Sequence, residues 1–204
     1  ADPAQVLCPP YDVISAQEQD YLYNSDPHNI IRILLGKDFP GDKKKENKYT
    51  RAGVFLKDWQ KQGILKKDDR SSIYIYSQEF SIYGGIKHRL GFIALLKLEE
   101  FDTRTTSVYP HENTFLAPKE DRARLIRSIE ANLGPVFAIF ADEDKSIGGI
   151  LSQHTKSQPI INVLDYHQIR NKLWRVSDKD TLQALIRLMK DKRLFIADGH
   201  HRYE

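Results

Sequence analysis

Cysteine is nearly missing from this chain. Cys8 is the one cysteine among 204 residues, which excludes an intramolecular disulfide and points to a reducing, cytoplasmic setting. Long apolar runs are missing as well: no stretch approaches the ~20 apolar residues of a membrane-spanning helix, and no signal-peptide pattern opens the chain. Neither sign of charge is in large surplus, since 31 Lys and Arg stand against 28 Asp and Glu, a formal net charge of +3. That excess is too small to imply nucleic acid without a concentrated patch. The runs Lys43–Lys45 and Lys66–Lys67 are flanked by Asp42, Glu46, Asp68 and Asp69, as on a solvated surface. There is no Walker A loop, no Gly-x-Gly-x-x-Gly and no Gly-x-Ser-x-Gly elbow, so the simplest nucleotide and hydrolase signatures are excluded. Zinc finds little support: there is no Cys pair and no His pair at i, i+4, and adjacent histidines on a helix diverge by ~100°. Cys8, between Leu7 and Pro9 without a nearby activator, reads as inert.

What is present describes a soluble folded chain, 40% hydrophobic and 29% charged, long enough for one large domain or two small ones. Pro9-Pro10-Tyr11-Asp12-Val13 is rigid and extended. Ser15 with Glu18 predicts a capped helix to about Tyr23. Asn29 to Leu35 is a strand candidate. A helix from about Glu46 to Gln62 turns Tyr49, Ala52, Val54, Phe55, Leu56 and Trp59 inward and stops at Gly63. Ile73 to Ile82 and Ile86 to Leu98 form a hairpin through Tyr83-Gly84-Gly85, its Tyr and Ile residues serving sheet packing.

The acidic cluster Glu99, Glu100 and Asp102 marks a boundary near residue 101. It separates an N-terminal α+β region with a mixed sheet, residues 1–100, from a second domain, residues 101–204. In the second half, strands are expected at Thr105–Tyr109, Val136–Phe140 (short and buried), Ile160–Leu164 and Lys172–Val176. Helices are expected at Lys119–Asn132, Lys145–His154 and Asp178–Lys190, the last capped by Ser177 with Leu182, Leu185, Ile186 and Met189 inward. The chain starts at Ala1 without Met and stops inside its final helix, so we expect a fragment of a longer protein, its second domain continuing past residue 204.

Two clusters carry chemistry. Leu194 to Asp198 reads as a strand broken by Gly199, and His200, His201, Arg202 and Tyr203 follow at a helix start. Backbone N–H groups, two imidazoles and a guanidinium would there converge on a volume suited to phosphate, with Asp198 placed to hold Mg2+ or accept a proton. The second cluster is Val108-Tyr109-Pro110-His111-Glu112-Asn113-Thr114, followed by Lys119, Asp121 and Arg122. Pro110 ends the strand and leaves His111 and Glu112 projecting from a sheet edge, where Glu112 suits a general base.

Ile196 to Tyr203 resembles the signature loop of the ParB/sulfiredoxin-like superfamily, and Pro110-His111-Glu112 with the helix after it resembles that superfamily's first motif. Pro9 to Ser15, Asn29 to Arg32, Asn47 to Tyr49 and the terminal loop together resemble domain-of-unknown-function family 1015 over nearly the whole chain. The superfamily resemblance implies that residues 101–204 form a ParB/sulfiredoxin-like domain. Sulfiredoxin chemistry is disfavoured, since His200 and His201 stand where those enzymes carry a cysteine. The free-serine kinases, which share the Asp198 to Arg202 pattern and an upstream glutamate base, fit best.

The resemblance therefore implies phosphoryl transfer to a small hydroxylated metabolite, free L-serine leading. The donor would be adenosine triphosphate, adenosine diphosphate or pyrophosphate. Catalysis falls to Glu112, Asp198 and His201, and phosphate contacts to Gly199, His200, His201, Arg202 and His111. Asp198 would take Mg2+, and Pro10, Tyr11 and Asp12 would line the acceptor pocket. The alternative is a nucleotide-binding ParB-like module with a DNA-associated or regulatory role.

Overall fold

The computed structural model describes residues 2–99 and 106–204. In chain order the first elements are α1 (Pro3–Val6), α2 (Ala16–Ser25), α3 (Ile31–Leu34), α4 (Lys48–Lys61), β1 (Ile73–Ile82), β2 (Gly85–Ile93), β3 (Val108–Tyr109) and α5 (Leu116–Ile129). There follow β4 (Phe137–Ile139), α6 (Ser146–His154), β5 (Ile161–Leu164), β6 (Arg170–Val176), α7 (Lys179–Met189), β7 (Leu194–Asp198) and α8 (His200–Tyr203). The class is α+β, as expected. No described helix is long and apolar enough to cross a membrane.

Two compact units are interleaved along the sequence. Unit 1 comprises Ala1–Lys67, Asn113–Val136 and Gly199–Glu204; unit 2 comprises Asp68–Glu112 and Phe137–Asp198. The boundary expected near residue 101 lies outside the described residues, and each unit draws on chain from both sides of it.

Unit 1 is built on helices. Its core joins Ile33 of α3, Ala52, Leu56 and Trp59 of α4, and Leu125 and Ile129 of α5. A reciprocal cap starts α4: the Asn47 side chain accepts from the Tyr49 and Thr50 amides, while Thr50 Oγ1 accepts from the Asn47 amide. Val54, expected to face inward, is exposed on the opposite side of α4. The segment Asn29 to Leu35 is not a strand. Ile31 and Ile33 are both fully buried in the single turn of α3, so burial on every side produced an apolar run that imitates a strand. Asn29 organises this turn. Its Nδ2 donates to the Gln5 and Leu7 carbonyls at 2.7 and 3.0 Å, and its Oδ1 accepts from the Ile31 amide at 2.9 Å. Helix α5 begins three residues earlier than expected, because Pro118 is tolerated in a first turn, and ends at Glu130 in a left-handed conformation.

The α4–α5 crossing depends on Gly53. A Cβ there would lie 2.6 Å from the Ser128 carbonyl oxygen, a backbone atom that cannot step aside. Gly53→Ala should therefore lower unfolding free energy by about 2 kcal/mol, since overpacking at the upper end of ~3 kcal/mol exceeds the ~1 kcal/mol gained in helix propensity. Gly149→Ala is the control: it sits in α6 with nothing within 4 Å of the added methyl and should stabilise by ~0.5–1 kcal/mol. Chemical denaturation of both variants checks the pair; equal shifts would discount the close crossing.

Unit 2 holds two sheets. One is antiparallel with strand order β2-β1-β6-β5, and the other is mixed with order β3-β7-β4, β3 running parallel and β4 antiparallel to β7. The sheet expected in the N-terminal half is thus shared by both halves, because β1 pairs with β6 from Ile73↔Val176 to Glu79↔Arg170. Tyr83 and Gly84 close the β1–β2 hairpin with φ of 49° and 73°, the mirror-image turn that suits twisted strands. Ile75, Ile147, Leu151, Trp174, Val176 and Leu185 form the core. Three expectations shift here. Asp178 rather than Ser177 caps α7, its carboxylate accepting from the Thr181 amide. Ile186 is 61% exposed, so the buried stripe of α7 is narrower than its periodicity suggests. In β4, Phe137 and Ile139 lie on an exposed side, so this strand is not buried.

Candidate functional site

Strand β7 runs directly into Gly199, whose φ of 94° is open to glycine at little cost, and a single helical turn follows. The amides of Arg202 and Tyr203 both return to the Gly199 carbonyl, at 2.9 and 3.1 Å, and are spent within the turn. The side chains of the turn are the other groups it could offer to a phosphate.

Those side chains divide. His200 is 1% exposed, so it lies inside the fold instead of lining an open anion site. His201 stacks on Phe115 and accepts the Phe115 amide through Nε2 at 3.0 Å. An accepting Nε2 leaves the proton of a neutral ring on Nδ1, so Nδ1–H is what His201 can offer an anion. Glu204 binds the same end of α5: its carboxylate accepts from Thr114 Oγ1 and, at 2.7 Å, from Lys119 Nζ. These two hydrogen bonds hold the Glu204 carboxyl below its ordinary range. Thr114 and Lys119 of the second sequence cluster thus meet the terminal turn within unit 1.

Arg202 occupies a slot in unit 1. Gly134, at φ 77°, lies beside its stem, where a Cβ would meet Arg202 Cδ at 3.7 Å, ordinary van der Waals contact. At Gly199 a Cβ would lie 2.6 Å from Arg202 Nη2. Arg202 Nη2 also lies 3.5 Å from the Pro135 carbonyl. The third wall is the ring of Tyr11, 5.8 Å from the Arg202 guanidinium carbon, with Arg122 over the same ring at 3.9 Å. The Tyr11 hydroxyl is pushed above its ordinary pKa by burial, with the two guanidiniums acting in opposition. Two segments chosen separately from the sequence, Pro10–Asp12 and the terminal loop, are joined at Tyr11 and Arg202.

Arg122 had no assigned role in the sequence. It is a buried cation, donating from Nη1 to the Leu34 carbonyl at 2.9 Å and from Nε and Nη2 to Asp121. Its signal was present: Arg122, Leu125 and Ile129 fall on one helical stripe, and a charge on an apolar stripe needs a buried partner. Tyr49 supplies a further hydrogen bond to Asp121 at 2.6 Å. Burial pushes the Asp121 pKa up, but hydrogen bonds from Tyr49 and Arg122 outweigh it and hold the group below the ordinary 3.8. A depressed folded-state pKa contributes stability that is complete above the unfolded value and is lost as pH falls through the folded one. Unit 1 should therefore lose stability below about pH 4. Asp121→Asn should flatten that limb of a melting-temperature profile; an unchanged acid limb would assign it to other carboxylates.

His111 and Glu112 follow β3 in an exposed bend, as Pro110 implied, and both belong to unit 2. Asp198 ends β7, opposite Phe137 of β4. Pro10 and the exposed Asp12 flank Tyr11 at a single 3-10 turn. Among the described residues no group of three or more His, Cys, Asp or Glu is placed to hold a metal ion. Burial raises the Cys8 thiol to about 12, in keeping with an inert cysteine.

Compared with known proteins, the chain matches over residues 2–204 the family model described as "Protein of unknown function (DUF1015)". No curated protein and no solved structure matches.

Proposed function

The chain belongs to the DUF1015 family, and we propose that it is a phosphotransferase acting on a small hydroxylated metabolite, free L-serine first among the candidates. The observation that carries this reading is the Arg202 slot, in which the guanidinium lies close against Gly199 and within reach of the Tyr11 ring, with Gly134 beside its stem. A guanidinium held in this way is suited to planar, charge-assisted contact with phosphate oxygens. Phosphoryl transfer asks the protein for positioning, charge neutralisation and a base, and little covalent chemistry.

In this reading Arg202 and the Nδ1–H of His201 bind the donor phosphates, and Gly199 allows the backbone to approach them. Asp198 would be the residue to hold a magnesium ion, whose chemistry would be charge neutralisation. Glu112 takes the proton of the acceptor hydroxyl as its oxygen bonds to phosphorus, and the bond from phosphorus to the donor's bridging oxygen breaks. His200, inside the fold, supports the turn and is not assigned a phosphate contact. His111, the neighbour of Glu112 in unit 2, keeps its proposed role as a phosphate contact.

The test is a donor-by-acceptor panel. Adenosine triphosphate, adenosine diphosphate and pyrophosphate are each incubated with L-serine, L-threonine, glycerol or water, and phosphorylated product and released phosphate are both measured. O-phosphoserine formation dependent on one donor supports the proposal. Nucleotide binding without transfer to any acceptor would move the reading to a nucleotide-binding ParB-like module.

A further inference from the structure

We propose that Tyr11 is the positioning residue of the anion site: the buried Arg122 fixes its ring, and the ring in turn fixes Arg202. What the site binds rests on the phosphate reading above, but the positioning itself is a separate, measurable property of unit 1.

Arg122 is the fixed end of the series. It is 5% exposed and held by the Leu34 carbonyl and by Asp121, which Tyr49 anchors from α4. A guanidinium so constrained, 3.9 Å from the ring centre, gives the Tyr11 ring a fixed cation to rest against. The backbone around Tyr11 is stiff as well, since Pro9 and Pro10 precede its single 3-10 turn. Arg202 lies at 5.8 Å from the same ring, within cation–π range, with its Nε buried and its stem against Gly134.

Arginine is rotamer-rich, and ordering it when a ligand binds weakens affinity. A slot that orders it beforehand removes that cost. The ring performs this role and the hydroxyl does not, which separates the inference from the acceptor-pocket role expected of Tyr11 in the sequence. A hydroxyl that contacts the acceptor would be lost on substitution by phenylalanine; a ring that orders Arg202 would be kept.

The experiment uses the full-length protein labelled with nitrogen-15 and follows the Arg202 Nε–H signal, with pyrophosphate titrated by calorimetry in parallel. Tyr11→Phe should keep slow exchange of the Arg202 Nε–H and leave pyrophosphate affinity unchanged. Tyr11→Leu should lose that protection and weaken pyrophosphate by about fivefold, as expected for one cation–π contact. Because Tyr11→Leu also uncovers Arg122, Gly199→Ala approaches the slot from the other wall and should release the same signal with the Tyr11–Arg122 contact intact. Protection of Arg202 that survives Tyr11→Leu, or a Tyr11→Phe protein that behaves like Tyr11→Leu, overturns the inference. Loss of protection in Tyr11→Leu, together with no pyrophosphate binding by the unaltered protein, upholds the positioning and sinks the phosphate reading instead.

Discussion

Glu112→Gln should leave donor binding near its original strength and cut turnover by at least ~100-fold, the usual share of acid–base catalysis. A serine hydroxyl is a weak nucleophile at neutral pH and needs a base as its oxygen attacks phosphorus. Glutamine keeps the shape and polarity of the side chain but cannot accept that proton. Glu112 is exposed in the bend after Pro110, so the substitution should not disturb the core, and melting temperature serves as the control. Donor affinity is read by calorimetry and turnover by product formation under saturating donor and acceptor. Turnover close to that of the unaltered protein would remove Glu112 from the proposed mechanism and pass the base to Asp198.

Arg202→Ala should act on the opposite parameter. Losing a charge-assisted contact to phosphate costs on the order of 2 kcal/mol, or about 30-fold in donor affinity. The loss should appear for pyrophosphate as well as for nucleotides, because the proposed contact is to phosphate and not to a base. Arg202→Lys should recover only part of it, since a point charge replaces a planar fork that the slot is shaped to hold. An anion found in crystals near Gly199 to Arg202 would agree; anions gathered only at Lys43 to Lys45 would argue for a surface charge effect.

Much of the secondary structure was legible in the sequence because local chemistry specified it. Asn47 and Gly63 bracket α4, the Tyr83-Gly84 turn fixes the β1–β2 hairpin, and Gly199 separates β7 from α8. The strand expected at Asn29 to Leu35 failed because a run buried on all sides carries no period, and one turn of helix hides in it as easily as a strand. Asp198, Gly199, His201 and Arg202 were visible as a dense polar string. Gly134 and Phe115 were not, and Arg122 was visible only as a member of the second cluster without a role, because their importance arises from partners far away in sequence: Arg122 reaches back to Leu34 and Tyr11, and Phe115 meets His201 across 86 positions. The burial of His200 beside the half-buried His201 was equally hidden, since adjacent residues of one type differ only through what packs against them.

The interleaving of the two units sets the order in which a nascent chain can be completed. Unit 1 is opened by Ala1–Lys67, yet Gly199–Glu204 can join it only after Asp68–Glu112 and Phe137–Asp198 of unit 2 have been synthesised. Helix α5 must therefore wait for Gly199 to Glu204 before Phe115, Thr114 and Lys119 find their partners. Contacts spanning so much chain close slowly. Unit 2, whose final strand ends at Asp198, has all its segments available first. No single cut of the gene would release either unit whole, because each is assembled from segments that the other interrupts.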